Sequence, residues 1–228
     1  MPRITVLQLD PTVPLDRFEG WLRAAGARLS VVPVAERGVP SADAVGDGLL
    51  VLGGRMDAHA VAEHPWLPAV GDLLADVIEI DLPVLGICLG HQILADALGG
   101  EVTVADPAGG ETGATQVVWA EAAASDPVLA AAAGVGTAVA ESHHDVVTRL
   151  PEGAVLLASS EKYPHQAFRV GSAVGVQFHP EASPELVRRW EEADGNDTTE
   201  LVAGLRANDA EIVAVGRAVA EGFVRACA

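Results

Sequence analysis

A cysteine flanked by glycines is the first feature of this sequence that could do chemistry. Cys88 lies in the stretch LPVLGICLGHQ, with Gly86 and Gly90 two positions away on either side, where a short apolar run gives way to a helical pattern. Small neighbours are tolerated in a crowded strand-to-helix turn, and the N-terminus of the following helix favours a thiolate. The N–H of Leu89 can donate to a developing oxyanion. The pattern indicates a nucleophilic thiol; a small cysteine buried between packing glycines is the alternative.

A base for this thiol is found far along the chain, in the stretch GVQFHPE. The predicted strand Ala173–Phe178 delivers His179 at its end, and Pro180 cannot donate to a sheet ladder, so the segment should leave the sheet there. Residues two apart in an extended chain point to the same side, which puts Glu181 beside His179. A carboxylate in that place can hold the imidazole in one tautomer. The sequence therefore predicts a cysteine, a histidine and a glutamate that meet only in the fold.

The elements that must position these residues alternate between strands and helices up to residue 100. The predicted strands are Ile4–Leu9, Leu29–Pro33, Leu49–Leu52 and Val84–Ile87, and the predicted helices are Leu15–Ala25, Trp66–Ile80 and Leu89–Leu98. This alternation predicts a three-layer α/β fold with a mostly parallel central sheet and helices on both faces.

After residue 100, closely spaced strand-like segments predict hairpins and an antiparallel or mixed extension of the sheet. These segments are Glu101–Ala105, Thr115–Trp119, Ala138–Glu141, Ala154–Ala158, Gln166–Val170 and Ala173–Phe178. The chain returns to helix from Pro184, with an interruption at 194–197, a cap at Asp197 or Thr198, and a terminal helix over Ala210–Ala226. We expect one domain over residues 1–228.

Composition excludes several classes of function. The chain has 14 basic and 32 acidic residues and a net charge of −18, which disfavours nucleic acids and anionic membranes as partners. No apolar run approaches about 18 residues, and no GxxxxGK[ST] loop is present. The first residues are predicted as a strand, not a signal peptide. Cys88 and Cys227 are expected to be free thiols in a reducing cytoplasm, with Cys227 an incidental terminal residue.

The histidines do not form an obvious metal site. In His143-His144-Asp145, neighbouring side chains of an extended chain face opposite ways, so we expect no metal and no cofactor. His91 is interpreted as a packing residue, and the four tryptophans as core residues.

GICLGHQ together with GVQFHPE resembles the class I glutamine amidotransferases, and the resemblance extends over the whole chain. LVLGGRMDAHA at 50–60, SHHDVVTRLPEGAVLLASS at 142–160 and YPHQAFRVG at 163–171 add to it. Stand-alone domains related to the glutaminase part of GMP synthase look most similar. The resemblance implies a flavodoxin-like fold and a triad of Cys88 as nucleophile, His179 as general base and acid, and Glu181 as the residue that orients His179.

The same resemblance implies roles for further residues around a small-molecule substrate, glutamine or a γ-glutamyl compound. The N–H groups of Gly54 and Leu89 would form the oxyanion hole, Gln92 would belong to the glutamine pocket, and the backbone of Ser142 and His143 would receive the α-amino and carboxylate groups. One departure is Arg55, where the family usually has proline after the paired glycines. Arg55 is expected either to be solvated or to bind a carboxylate, and its loop to be mobile.

Four functions are compatible with these residues. The first is a glutaminase that releases ammonia for a synthetase partner on another chain, and the second is a self-sufficient γ-glutamyl hydrolase with the same triad. The third is a non-catalytic or redox-sensing relative that uses Cys88 alone. The fourth is an α/β-hydrolase-type thiol enzyme with Asp145 as its acid. The His-Pro-Glu sequence favours the first two.

Overall fold

A nine-stranded mixed sheet forms the centre of the computed structural model, which describes residues 1–228. The strands, in chain order, are β1 (Arg3–Gln8), β2 (Arg28–Pro33), β3 (Gly48–Val51), β4 (Val84–Ile87), β5 (Glu101–Thr103), β6 (Glu111–Trp119), β7 (Ala138–His143), β8 (Val146–Arg149), β9 (Val155–Ser160), β10 (Ala167–Val170) and β11 (Ala173–Val176). Their order in the large sheet is β2-β1-β3-β4-β11-β10-β9-β6-β7, and β5 pairs with β8 separately.

Helices cover both faces of this sheet. They are α1 (Arg17–Ala24), α2 (Val34–Arg37), α3 (Leu67–Glu79), α4 (Leu89–Ala97), α5 (Ala130–Val135), α6 (Pro184–Ala193) and α7 (Thr199–Ala226), with short 3₁₀ turns at Ala42–Ala44 and Glu121–Ser125. Alternate side chains of β3 pack on opposite faces of the sheet. Leu50 belongs to the hydrophobic cluster that contains residues of α1, α5 and α7. Leu49 belongs to the cluster that contains residues of α3 and α4. This two-sided burial confirms the predicted three-layer fold.

The change from parallel to antiparallel pairing occurs at β11. This strand runs parallel to β4, with Ile87 opposite Val176, and antiparallel to β10. The carboxyl ends of β4 and β11 therefore lie side by side, and the N–H of Cys88 donates to the carbonyl of Val176 at 2.8 Å. The pairing explains how two residues far apart in sequence, Cys88 and His179, reach the same edge of the sheet.

The antiparallel half curves back towards this edge. β7 is the outermost strand of the sheet order, yet the N–H of His179 donates to the carbonyl of Ala140 in β7 at 2.8 Å. The contact brings Ser142 and His143, at the end of β7, to the same place as Cys88.

Several predicted bounds are wrong. α7 begins at Thr199, not at Ala210, because its first half buries Val202 and Leu205 while polar residues between them obscure the apolar stripe. Thr198 is its N-cap residue and makes no side-chain cap bond, while Oδ1 of Asp197, one residue earlier, accepts from the N–H of Thr199 at 3.0 Å. The strand predicted to reach Phe178 ends at Val176, and β8 and α5 were not predicted.

Both cysteines are free, as expected, but Cys227 is not incidental. It is buried against Gly48 at the end of α7, and burial, followed by the charge of Asp47, raises the pKa of its thiol to about 12.

None of the helices combines the length and hydropathy that a membrane span requires.

Candidate active site

Cys88 occupies the strand-to-helix elbow that the sequence predicts. It follows β4 directly, serves as the N-cap of α4, and has φ 49° and ψ −105°, a positive φ that residues other than glycine seldom adopt. A Cβ on Gly86 would lie 2.6 Å from the carbonyl oxygen of Gly90, and a Cβ on Gly90 would meet the backbone of Val51. The two glycines are therefore required by close backbone packing around the turn.

His179 and Glu181 form a buried pair beside this elbow. The Nδ1 atom of His179 lies 2.7 Å from Oε1 of Glu181, and the two side chains are 4% and 0% exposed. A Cβ on Gly53 would lie 3.0 Å from Cε1 of His179 and 3.5 Å from Cβ of Cys88, so Gly53 leaves room where the histidine and the cysteine approach each other. Because the carboxylate binds Nδ1, the Nε2 atom of the ring is left to exchange a proton with a neighbouring group.

The electrostatics of this cluster favour a charged imidazole. Burial alone lowers the pKa of His179, but the Glu181 carboxylate and then Cys88 raise that pKa well above its usual value. A base that is protonated in this way stabilises a neighbouring thiolate, the reactive form of cysteine.

A cavity of about 370 Å³ opens at this cluster. The residues predicted for the site that line it are Gly54, Cys88, Gln92, Ser142, His143 and His179. Glu181 lies behind His179 and is fully buried. Leu89 is the first residue of α4, where an N–H has no partner within the helix. A Cβ on Gly54 would lie 2.8 Å from the Cδ2 atom of Leu89. Gly54 and Leu89 are thus neighbours at the edge of the cavity.

The substrate-binding candidates are held in place by neighbouring groups. Nε2 of Gln92 donates to the carbonyl of Asp145 at 3.0 Å and to Oε1 of Gln177 at 3.2 Å. The hydroxyl of Ser142 donates to Oε1 of Glu191 at 2.8 Å. These hydrogen bonds position the side chains of Gln92 and Ser142 at the cavity wall.

Two alternatives from the sequence are wrong. Arg55 is not simply solvated: its guanidinium pairs with the carboxylate of Asp194 and donates to the carbonyl of Trp190 at 3.3 Å. Asp145 is not the partner of His179, because its Oδ1 accepts from the N–H of Ala105 at 2.7 Å while Glu181 binds the ring. The α/β-hydrolase arrangement therefore lacks its acid.

Sequence reasoning missed the contribution of α6 to the site. Trp190 lies in the cavity wall with its ring centroid 4.7 Å from that of His179, and its indole N–H donates to the carbonyl of Thr12 at 2.8 Å. Trp190 was expected only in the core, and nothing local in the sequence distinguishes it from the other tryptophans.

The model of the family described as "Glutamine amidotransferase class-I" matches residues 20–189. The chain belongs to this family. A solved structure described as a glutamine amidotransferase from Thermotoga maritima superposes with a TM-score of 0.83 at 25% identity and covers 97% of each chain. The flavodoxin-like class I fold expected from the sequence is thereby confirmed.

Two curated relatives carry different activities in their names. One, from Methanosarcina barkeri, is named as one of the subunits of glutamine-hydrolyzing GMP synthase; it is 39% identical over 139 residues, which are 60% of this chain and 65% of the relative. "Gamma-glutamyl peptidase 5" of Arabidopsis thaliana is 32% identical over 142 residues, or 62% of this chain and 56% of the relative. The matches span less than two thirds of either relative.

Proposed function

We propose that residues 1–228 form one glutaminase domain that hydrolyses the γ-amide of glutamine and releases ammonia for an acceptor on another chain. The observation that carries this proposal is the strained elbow of Cys88 in one cavity with His179, whose ring is bonded to the buried Glu181. Membership of the class I family supports the same chemistry.

The first half of the proposed reaction forms a thioester. The thiolate of Cys88 attacks the γ-carbon of glutamine, and the N–H groups of Gly54 and Leu89 stabilise the oxyanion of the tetrahedral intermediate. The carbon–nitrogen bond then breaks as His179 gives its proton to the departing nitrogen. Ammonia leaves, and a γ-glutamyl group remains on sulfur.

The second half consumes water. His179, now neutral, takes a proton from a water molecule that attacks the thioester carbon, and the carbon–sulfur bond breaks to release glutamate and the thiolate. Glu181 stabilises the imidazolium each time it forms. Gln92 and the backbone of Ser142 and His143 are the proposed contacts of the glutamine molecule.

The proposed partner is a synthetase chain that receives the ammonia. Support comes from relatives named as subunits of GMP synthase. The acidic surface, with a net charge of −18, makes nucleic acid and anionic membranes unsuitable partners.

A second candidate function is the hydrolysis of γ-glutamyl peptides by the same triad. It is favoured by Arg55, whose guanidinium lines the cavity and could meet a peptide carboxylate in place of Asp194, and by the relative named as a γ-glutamyl peptidase. In this case the chain needs no partner.

The two candidates separate when the full-length chain is assayed alone with glutamine and with γ-glutamyl dipeptides. A glutaminase releases ammonia from glutamine at least as well as it cleaves dipeptides; a peptidase prefers dipeptides and loses that preference in Arg55→Ala. Cys88→Ala should abolish both activities and Cys227→Ala should retain them. Undiminished turnover by Cys88→Ala would refute both candidates.

A further inference from the structure

A cluster of two carboxylates and a histidine lies buried where β6 and β7 pair. Glu111 is opposite His143 in the ladder, and Glu141 lies two residues before His143. The side chains of Glu111, Glu141 and His143 are 9%, 0% and 1% exposed. One ligand atom from each residue lies within 4.8 Å of the other two. The proposed glutaminase reaction uses none of these three side chains.

Three potential ligand atoms converge at this cluster. Nδ1 of His143 lies 3.1 Å from the backbone carbonyl of Asp145, which can only accept, so Nδ1 is the donor in this contact. Nε2 faces Oε2 of Glu111 at 3.4 Å and Oε2 of Glu141 at 3.7 Å, so one imidazole nitrogen meets two carboxyl groups. A cation placed between these three atoms would be bound by all of them.

Glu141 gives independent evidence that something binds there. It is completely buried, and neither of its carboxylate oxygens has a hydrogen-bond partner. Buried polar groups are nearly always satisfied, and a buried carboxylate without a hydrogen bond is destabilising. A bound cation would supply the missing partner.

We propose that Glu111, Glu141 and His143 bind a divalent metal ion of the Zn²⁺ class. Ligand atoms at the usual zinc distances and tetrahedral angles are separated by about 3.3 Å. Nε2 of His143 lies 3.4 and 3.7 Å from the two carboxylate oxygens, and all three ligand atoms lie within 4.8 Å of one another.

The surroundings resemble the second layer of a metal site. Nε2 of Gln166 donates to Oε2 of Glu111 at 2.5 Å, and the carbonyl of Asp145 orients the ring of His143. Outer hydrogen bonds of this kind fix the tautomer and direction of metal ligands. His143 also borders the active-site cavity, which provides a path for the ion. The ion would join β6 to β7 beside the segment proposed to hold glutamine.

Zn²⁺ titration of the full-length chain tests this proposal. The Cys88→Ala variant serves as the parent, because it lacks the thiolate that would compete for the metal. This parent is stripped of metal with a chelator and then titrated with Zn²⁺ in competition with a chromophoric zinc indicator. We expect one Zn²⁺ per chain, with affinity lowered at least about tenfold by Glu141→Gln and by Glu111→Gln. Glu161→Gln, at an exposed position, is the matched control and should bind as the parent does.

Co²⁺ provides a second readout that does not depend on activity. Co²⁺ bound to the parent should give the visible absorption of a low-coordinate nitrogen–oxygen site. Zn²⁺ should raise the melting temperature of the parent. The Glu141→Gln variant should lose both effects while it remains folded. Equal Zn²⁺ affinity in the parent and both glutamine variants, or no binding by the parent, would overturn the proposal and leave the cluster with a proton. Because the readouts are binding and melting, this failure would not affect the proposed glutaminase.

Discussion

At the scale of single residues, the proposed reaction depends on the pairing of His179 with a carboxylate that water cannot reach. Glu181 is fully buried, and its Oε2 has no partner, so its charge is directed to the imidazole alone. In such an environment the carboxylate both fixes the ring and raises its pKa, because little solvent screens the charge. Asp145, the acid of the α/β-hydrolase alternative, is hydrogen-bonded to the N–H of Ala105 and does not contact His179.

Glu181→Gln should therefore lower kcat by about 10²- to 10⁴-fold, the range found when a triad acid is neutralised. Removing the carboxylate also disfavours the imidazolium, so the pKa of His179 should move down, which an NMR titration of the ring would detect. Asp145→Asn is the matched control and should change neither quantity by as much. A larger loss in Asp145→Asn would contradict the assignment of the acid.

At the scale of elements, the elbow between β4 and α4 is maintained by two backbone contacts that exclude side chains. The Cβ of an alanine at 86 would lie 2.6 Å from the oxygen and 2.7 Å from the carbon of the Gly90 carbonyl, and neither atom belongs to a flexible side chain. The strand and the first turn of the helix would have to separate to admit it.

Gly86→Ala should accordingly reduce the free energy of unfolding by about 1–3 kcal/mol, the usual effect of overpacking. Gly204→Ala is the control: Gly204 lies inside α7 with nothing within 4 Å of its added Cβ, so alanine should stabilise the helix by about 0.5–1 kcal/mol. Denaturant unfolding of both variants measures the difference. Equal stabilities would show that the elbow is less tightly packed than described.

The contact between α4 and β11 makes stability depend on pH. His91 is fully buried against Phe168, close to Gly175, and burial lowers its pKa to about 3. Below about pH 6.5 the unfolded chain binds a proton at His91 that the folded protein does not bind until about pH 3. The free energy of unfolding should fall across this window by up to about 1.4 kcal/mol per pH unit.

His91→Leu should remove that contribution. As the pH falls from about 6.5 to 3, the wild type should lose unfolding free energy that the variant keeps, because only the wild type takes up a proton at residue 91 on unfolding. Any stability advantage of the wild type over the variant should therefore shrink or change sign. Denaturant unfolding at several pH values gives the two curves. Parallel curves would mean that His91 has the same pKa in the folded and the unfolded protein.

The parts of this fold that sequence reasoning predicted are local, and the parts it missed are contacts between distant segments. The elbow at Cys88 and the pair His179–Glu181 follow from neighbours within a few positions, and periodicity alone predicts β4 and α4. Arg55 was misjudged because its partner Asp194 lies 139 residues away. Glu111 was not noticed for the same reason: its proximity to His143 depends on the register of β6 and β7, which no single-strand pattern reveals.

At the scale of the whole molecule, the site lies where the parallel half of the sheet meets the antiparallel half. β4 and β11 supply Cys88 and His179 from their carboxyl ends, and the returning β7 supplies Ser142 and His143. α6 closes the cavity through Trp190 and through the Asp194 contact with Arg55. Three separate parts of the chain must fold together before the proposed chemistry is available.

The central claim, covalent catalysis by Cys88, is tested most directly by trapping the intermediate. The full-length chain is quenched in acid during steady-state turnover of glutamine, digested, and mapped by mass spectrometry. We predict one γ-glutamyl group on the peptide that contains Cys88. The Cys227→Ala variant should carry this group, whereas the Cys88→Ala variant should carry none and should release no ammonia. A γ-glutamyl group on another residue, or ammonia release by Cys88→Ala at the wild-type rate, would contradict the account.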